Sequence, residues 1–288
     1  RFRGSSINLF YLPAVILLAV FIVYPLFSGI GLSLTNWDGY SPEKTFIGLT
    51  NFAQMFKDAN FRLILINTLI YGVGSTAIQQ VLGLGLALLL NSKIRGRNVF
   101  RAIIYLPALV APVIMGTMYY FIFQYQQGAL NTIMTGLGFE KVAWFNNPAV
   151  SVAIITIVNS IQFVGVSMII YLAGLQTVDE SLLEAGRIDG CTEWQLFRKI
   201  NLPLISSTVT INIILSVISG LKAFDYSFIM TNGGPGKSTK TLMFQVYETA
   251  FTDMKMGRAS AFSVLAFAFI IVITVCMLLY MNKREVEL

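Results

Sequence analysis

The sequence predicts an all-α integral membrane fold: six transmembrane helices, with a cytoplasmic helix pair between the fourth and the fifth. Three observations carry that reading. Of 288 residues, 56% are hydrophobic and only 12% charged, against about 25% charged in soluble domains. The mean hydropathy is +0.71. The charges are also segregated, because six long runs without Asp, Glu, Lys or Arg alternate with polar connections of ordinary charge density.

The charge-free runs are Phe10–Leu34, Leu63–Leu90, Ala102–Phe123, Ala149–Leu175, Leu204–Leu221 and Ala259–Met281. A helix needs ~20 apolar residues to cross the ~30 Å hydrocarbon core, and each run reaches or approaches that length. Leu204–Leu221 is the shortest, so flanking residues must extend it. Phe10–Leu34 is too long for the apolar stretch of a cleavable signal and no small-x-small site follows it, so it is expected to remain as a span. Pro13, Pro25, Pro107 and Pro112, with Gly72, Gly74, Gly83 and Gly85, permit kinks and close backbone approach within the bundle. Six crossings place both termini on one side. Lys93, Arg95, Arg97 and Arg101 form a short acid-free loop, which the positive-inside rule assigns to the cytoplasm. Arg1, Arg3, Lys283 and Arg284 then lie on that side too, and the 222–258 loop lies outside.

Composition also excludes several chemistries. The chain has no histidine, which removes His-based acid–base catalysis, Cys/His zinc sites and haem ligation by His. Cys191 in a polar connection and Cys276 in an apolar run are no disulfide framework. The net charge of +6 lacks the aromatic-basic clustering of nucleic-acid binders and reads as membrane topology. With no carboxylate pair and no nucleophile beside a base, no enzyme is expected. Asn232–Thr239 imitates a P-loop, yet G-x-x-x-x-G-K-[ST] requires a glycine where Thr231 stands.

The spans also lack the ionisable groups that gradient-driven carriers use. Their polarity is neutral. Asn67, Gln79 and Gln80 lie in the second span, Asn159 and Gln162 in the fourth, Asn212 and Ser219 in the fifth. Asn159, Gln162, Asn212 and Ser219, with Tyr119 and Tyr120, are candidates for a pathway suited to uncharged, hydroxyl-rich solutes. Energy for uphill transport must then enter elsewhere.

The connection between spans four and five is the most informative segment. Thr177-x-x-Glu180 and Thr192-x-x-Gln195 both read as capping boxes, and Gly190 supplies a stop between them. Two short helices are expected, at about 178–189 and 193–200, the second ended by Pro203. Their apolar residues include Val178, Leu182, Leu183, Ala185, Trp194, Phe197 and Ile200. So short a pair is not stable alone, and its apolar surface should be shared between the bundle and a partner. Glu184 has Arg187 within reach at i+3.

Glu184-Ala185-Gly186-x-x-x-Gly190, then nine residues and Ile200-x-Leu202-Pro203, resembles the EAA signature of permease subunits in binding-protein-dependent ABC importers. Gly186 stands where that signature carries a second alanine, at a cost of about 1 kcal/mol in helix propensity. The string Glu184–Leu204 is similar to the carbohydrate-uptake branch, as is Phe224–Phe251 with its T-N-G-G-P-x-x-S-T and Y-E-T-A-F. Asn51-Phe52 and Leu106-Pro107 also suit that branch. The resemblance covers essentially the whole chain, 1–288 as a single type I permease domain, and favours the maltose-permease-F-like chain of the two unequal permeases.

What the resemblance implies is a non-catalytic subunit of a bacterial or archaeal cell membrane. It would form the pathway with a second permease. Segment 177–201 would be the coupling helix seated on an ATPase, with Glu184, Ala185, Gly186, Asp189, Gly190, Trp194, Phe197, Leu202 and Pro203 at the joint. Two ATP-binding subunits would hold ATP and magnesium, and this chain no cofactor, metal or nucleic acid. An extracytoplasmic solute-binding protein would dock on the 225–257 loop, where Gly233, Gly234 and Pro235 favour a tight turn. The solute would be an oligosaccharide or glycoside. Glycerol-phosphate permeases share these motifs and remain an alternative, although the spans offer no cation apart from Lys222 at the end of the fifth. An ATP-independent channel is the reading from another class.

Overall fold

The computed structural model describes residues 11–92 and 94–282; Phe10, Lys93 and the terminal cations of the topology argument lie outside them. Among the described residues regular structure is helical, with one isolated antiparallel bridge between Thr35 and Phe46. Among the described residues four helices are long and apolar enough to cross a membrane: α1 (Leu12–Ser33), α3 (Phe61–Asn91), α7 (Pro148–Leu175) and α12 (Met256–Asn282). The short α2 (Thr50–Lys57) lies between the first two. They correspond to the first, second, fourth and sixth apolar runs. The 28 residues of α7 extend about 42 Å, ample for the hydrocarbon core.

The third and fifth runs are not straight crossings. The third is divided into α4 (Arg97–Leu109) and α5 (Pro112–Phe123), inclined at 95°. Pro107 stands inside α4, and Pro112 opens α5, where its missing N–H costs nothing. Val110 and Ala111 between them are extended, as the residue before a proline prefers. Arg97 and Arg101 consequently sit on α4 rather than in a loop, and the Arg101 guanidinium donates to the Leu90 carbonyl (3.1 Å). A short α6 (Ala129–Gly136) follows α5. The fifth run begins as α10 (Ser206–Leu221), bent by 73° from the helix before it. Counting each bent pair as one crossing gives up to six among the described residues.

Contacts divide the chain into two compact units, one up to Phe61 together with Gln245–Ala268, the other Arg62–Phe244 together with the chain from Phe269. In the first, the buried Asn51 amide donates to the Ser33 and Thr35 carbonyls (2.9 and 2.8 Å) and so fixes the exit of α1. In the second, α7 is the central column. Glycine allows close approach along it: a β-carbon on Gly83 would stand 2.8 Å from the Ser167 Cβ atom, and one on Gly165 2.7 Å from the Tyr105 Cα atom. The α3 and α10 backbones meet likewise, since a β-carbon on Gly220 would lie 2.8 Å from the Gly72 Cα atom. Small residues suit helix association in lipid, where van der Waals contact replaces the hydrophobic drive. Two cores result. Tyr71, Met115, Ile155, Val158, Tyr226 and Met230 fill one end of the unit, and Leu90, Met168, Leu172, Leu175 and Ile205 the other.

Candidate functional site

The segment after α7 folds as a helix pair, α8 (Glu180–Ile188) and α9 (Glu193–Leu204). The first cap is not Thr177. Asp179, extended at φ −65° and ψ 126°, accepts from the Ser181 N–H, while the Thr177 hydroxyl turns back to the Gly174 carbonyl (2.8 Å). Those bonds to Ser181 hold the Asp179 carboxyl below the usual carboxylate range. Gly190, at φ +80°, ends α8 in a Schellman motif: Cys191 N–H reaches Gly186 O (3.0 Å) and Gly190 N–H reaches Arg187 O (3.0 Å). Thr192 and Gln195 then form the expected capping box. Arg187 pairs with Glu193 (3.2 Å), not with Glu184, and so ties the second helix to the first.

Pro203 does not end α9. A π turn at Phe197–Asn201, closed by Leu202 N–H on Phe197 O, widens the helix ahead of the proline and accommodates its ring. The break comes at Ile205 (φ −95°, ψ 14°), buried beside Leu90 and Leu175.

The two helices close on Gly186, the buried residue of α8, which faces Leu196 and Ile200 of α9. Glycine in place of the signature's alanine therefore has a local reason. Glu184, Ala185, Asp189 and Gly190 are exposed. Trp194 is 67% exposed with its ring 5.5 Å from that of Phe197, and Leu202 and Pro203 are half-buried. Two positions that sequence reasoning left out matter here. Leu196 is buried at 1%, and its i, i+4 spacing to Ile200 was the available signal. Ile188 is 86% exposed; an apolar residue just before a helix stop was the clue.

The pathway candidates do not form one constellation. Gln162 is committed to the broken third run: its Nε2 donates to Val110 O (2.7 Å) and Pro107 O (3.3 Å), and its Oε1 accepts from the Tyr226 hydroxyl. Asn212 donates to Ser167 O (3.1 Å). The Tyr171 hydroxyl bonds Gln80 Oε1, whose amide nitrogen donates to Ser216 Oγ (2.9 Å). Asn67 donates to Ser238 O (2.7 Å) and Lys240 O (3.1 Å), which stitches the 233–241 loop to α3. Asn159 is buried and makes no side-chain hydrogen bond among the described residues. Ser219 is exposed, and Tyr119 and Tyr120 are half-buried.

The glycine turn follows α11 (Asp225–Thr231). Gly233 is buried at φ +82°, where a β-carbon would meet the Lys240 Cγ and Cε atoms at 2.8 Å. Gly234 and Pro235 are half-buried and border a cleft with Tyr120. The Thr239 hydroxyl, which a P-loop would turn to phosphate and metal, bonds Gly234 O (3.0 Å) and Thr231 Oγ1 (2.7 Å).

The profile of the family described as binding-protein-dependent transport system inner membrane component matches residues 79–284, including the α8–α9 pair and both broken runs. The chain belongs to this family. A probable starch degradation products transport system permease protein of Thermoanaerobacterium thermosulfurigenes is 34% identical over 282 residues, covering 97% of this chain and 95% of its own. The trehalose/maltose transport system permease protein of Thermococcus litoralis is 31% identical over 279 residues, covering 96% and 93%. The crystal structure of a bacterial ABC transporter involved in the import of alginate matches with a TM-score of 0.84 at 22% identity, over 98% of this chain and 96% of that one; that likeness shows the permease fold. The binding-protein-dependent permease is a multi-pass membrane subunit of an ABC importer, and the ATPase is a separate subunit, so the chain is not itself an enzyme.

Proposed function

We propose that this permease carries an uncharged carbohydrate, an oligosaccharide or glycoside, and takes its energy from two ATP-binding subunits that grip the α8–α9 pair. Relatives named for starch degradation products and for trehalose and maltose support the solute class. So do apolar runs without Asp, Glu, Lys, Arg or His. The whole chain acts as one permease domain beside a second, unequal permease. Both termini lie in the cytoplasm of a bacterium or archaeon, and ATP and magnesium are bound by the ATPases alone. A solute-binding protein meets the tip that Gly233-Gly234-Pro235 presents, where Gly236 and Lys237 are exposed. Of the amides among the pathway candidates, Gln162 and Asn212 are bonded to neighbouring helices and Asn159 is not.

One observation carries the coupling role. The helix pair is internally fixed by a Schellman stop, a capping box and an ion pair, yet it exposes Glu184, Ile188 and Trp194 on so small a body. Closure of the ATPases would push this rigid pair and rock the spans behind it between inward-facing and outward-facing states. Glu184→Lys and Ile188→Asp, each in the full assembly with its binding protein, test it. ATP-driven uptake should fall roughly tenfold or more, as at an interface anchor. Wild-type uptake and ATP hydrolysis in both variants, with the assembly intact, would refute the role.

A further inference from the structure

The cleft beside Tyr120 has a volume of about 720 Å³, within the ~300–1,000 Å³ of small-molecule sites. No charged residue lines it among the described residues. Beside the hydroxyls of Tyr120, Tyr125 and Thr231 it is lined by four side-chain amides: Gln124 and Gln126 just past α5, Asn146 ahead of α7, and Asn232 after α11. None of the four makes a side-chain hydrogen bond among the described residues, so their donors and acceptors are available to a ligand. The Tyr120 ring lies parallel to that of Phe145, 6.4 Å apart at 7°, which gives the cleft an aromatic floor.

Both walls are held in place. Asn131 staples the first: its amide nitrogen donates to Tyr125 O (3.1 Å) and Val142 O (2.9 Å), while its oxygen accepts from Val142 N–H (3.0 Å) and the Trp144 indole (3.2 Å). The second is fixed by the Thr239 hydroxyl on Gly234 O and by Gly233 N–H on Ser227 O (3.1 Å). Asn232 is itself locked in the left-handed region at φ 47°. The free amides are therefore borne on fixed backbone, and only their side-chain rotamers have to be ordered when a ligand arrives.

We infer that this cleft is a solute subsite for one uncharged sugar ring of the carried glycan, with the four amides bonding hydroxyls and Tyr120 or Phe145 facing the apolar side of the ring. The inference rests on the carbohydrate reading above and adds residues to it. An amide offers a donor and an acceptor side by side, as a pair of neighbouring hydroxyls does. A uronate or phosphosugar would find no cation in the lining, and a docking protein loop would find neither a charged partner nor a deep apolar pit.

The test uses the complete assembly in nanodiscs without its binding protein, and saturation-transfer NMR with maltotriose, trehalose, cellotriose and raffinose as neutral probes and trigalacturonate as the charged one. At least one neutral probe should receive saturation and trigalacturonate none. The signal should fall roughly tenfold in the Gln124→Ala/Asn232→Ala double variant and in Tyr120→Leu, but persist in Tyr120→Phe, with assembly yield unchanged. Persistence of the signal in the first two variants overturns the subsite. So does loss of stimulation by the binding protein with saturation intact, which would make the cleft a protein-docking surface. If a neutral probe is transported yet never saturates the assembly, the subsite fails and the carbohydrate reading stands. If no neutral probe is transported or bound, both fail.

Discussion

A β-carbon added to Gly186 would stand 2.6 Å from the Leu196 Cδ2 atom and 3.0 Å from the Ile200 Cδ1 atom. The helix pair is therefore built on a glycine contact between consecutive helices. Gly186→Ala gains about 1 kcal/mol of helix propensity but forces Leu196 to turn away in a place where it is fully buried. Leu196→Ala opens the same contact from the other side. The two changes should couple: in a double-mutant cycle on the thermal stability of the purified permease, the interaction energy is expected at about 0.5–3 kcal/mol, with the double variant less destabilised than the sum. Strict additivity would mean that the pair does not close on this glycine.

Gln162 and Val110 are joined across 52 residues of sequence, and that bond explains how the third apolar run tolerates a 95° break. Carbonyls left without helical partners at the break between α4 and α5 need a donor where water is scarce. Gln162→Leu removes that donor and leaves the Tyr226 hydroxyl without its acceptor. Each buried group so stranded costs about 1–3 kcal/mol, so folded yield and thermal midpoint should both drop. Gln162→Ala should behave the same way. A variant that kept full stability and lost only solute-stimulated turnover would assign Gln162 to the pathway.

The apolar helices were legible because segregation of charge is a property of the chain itself and needs no tertiary contact to be seen. The bends were not. A proline in an apolar run announces a kink, but its size depends on whether a distant side chain can satisfy the opened carbonyls, and Gln162 comes from another helix. Capping had the same ambiguity on a smaller scale. Thr177 and Asp179 are both good N-cap residues two positions apart, and only the backbone at the end of α7 decides that Thr177 bonds Gly174 instead. The stop at Gly190 and the second capping box were correct from sequence because their bonds span six residues or fewer. The cleft amides lacked a signal, since Gln124 and Asn232 meet only after two loops have folded onto each other.

Asp179 should make α8 sensitive to acid. Its carboxyl is held below the ordinary range by bonds to Ser181 in the folded helix. The stabilisation is present above the unfolded carboxylate value and is lost as pH falls through the lower, folded one. Amide exchange at Ser181 and over Leu182–Leu183 should therefore accelerate, after correction for the intrinsic rate, as the pH is brought below the carboxylate range. Asp179→Asn should remove this extra acid sensitivity while keeping a capping oxygen. Thr177→Ala should leave the profile as in the wild type. A Thr177→Ala variant that frays α8 would restore the cap read from sequence.

Asn131 offers the sharpest test of how the cleft wall is held, because all its bonds converge from one short helix onto two loops. Removing the side chain by Asn131→Ala deprives Tyr125 O and Val142 O of their donor, and the Trp144 indole of its acceptor. Asn131 is 1% exposed, so little water can replace it. Loss of several partly buried hydrogen bonds at about 0.5–1.5 kcal/mol each should loosen residues 124–126 and 142–144 without unfolding α7, which is stabilised along its length by other contacts. Hydrogen exchange should rise selectively in those two segments. In Trp37→Phe/Trp194→Phe background, the remaining Trp144 emission should shift to the red as its indole becomes hydrated. If exchange in 124–126 stayed at the wild-type rate while Trp144 shifted, the staple would hold only one loop, and the cleft would lack the fixed wall from which Gln124 and Gln126 act.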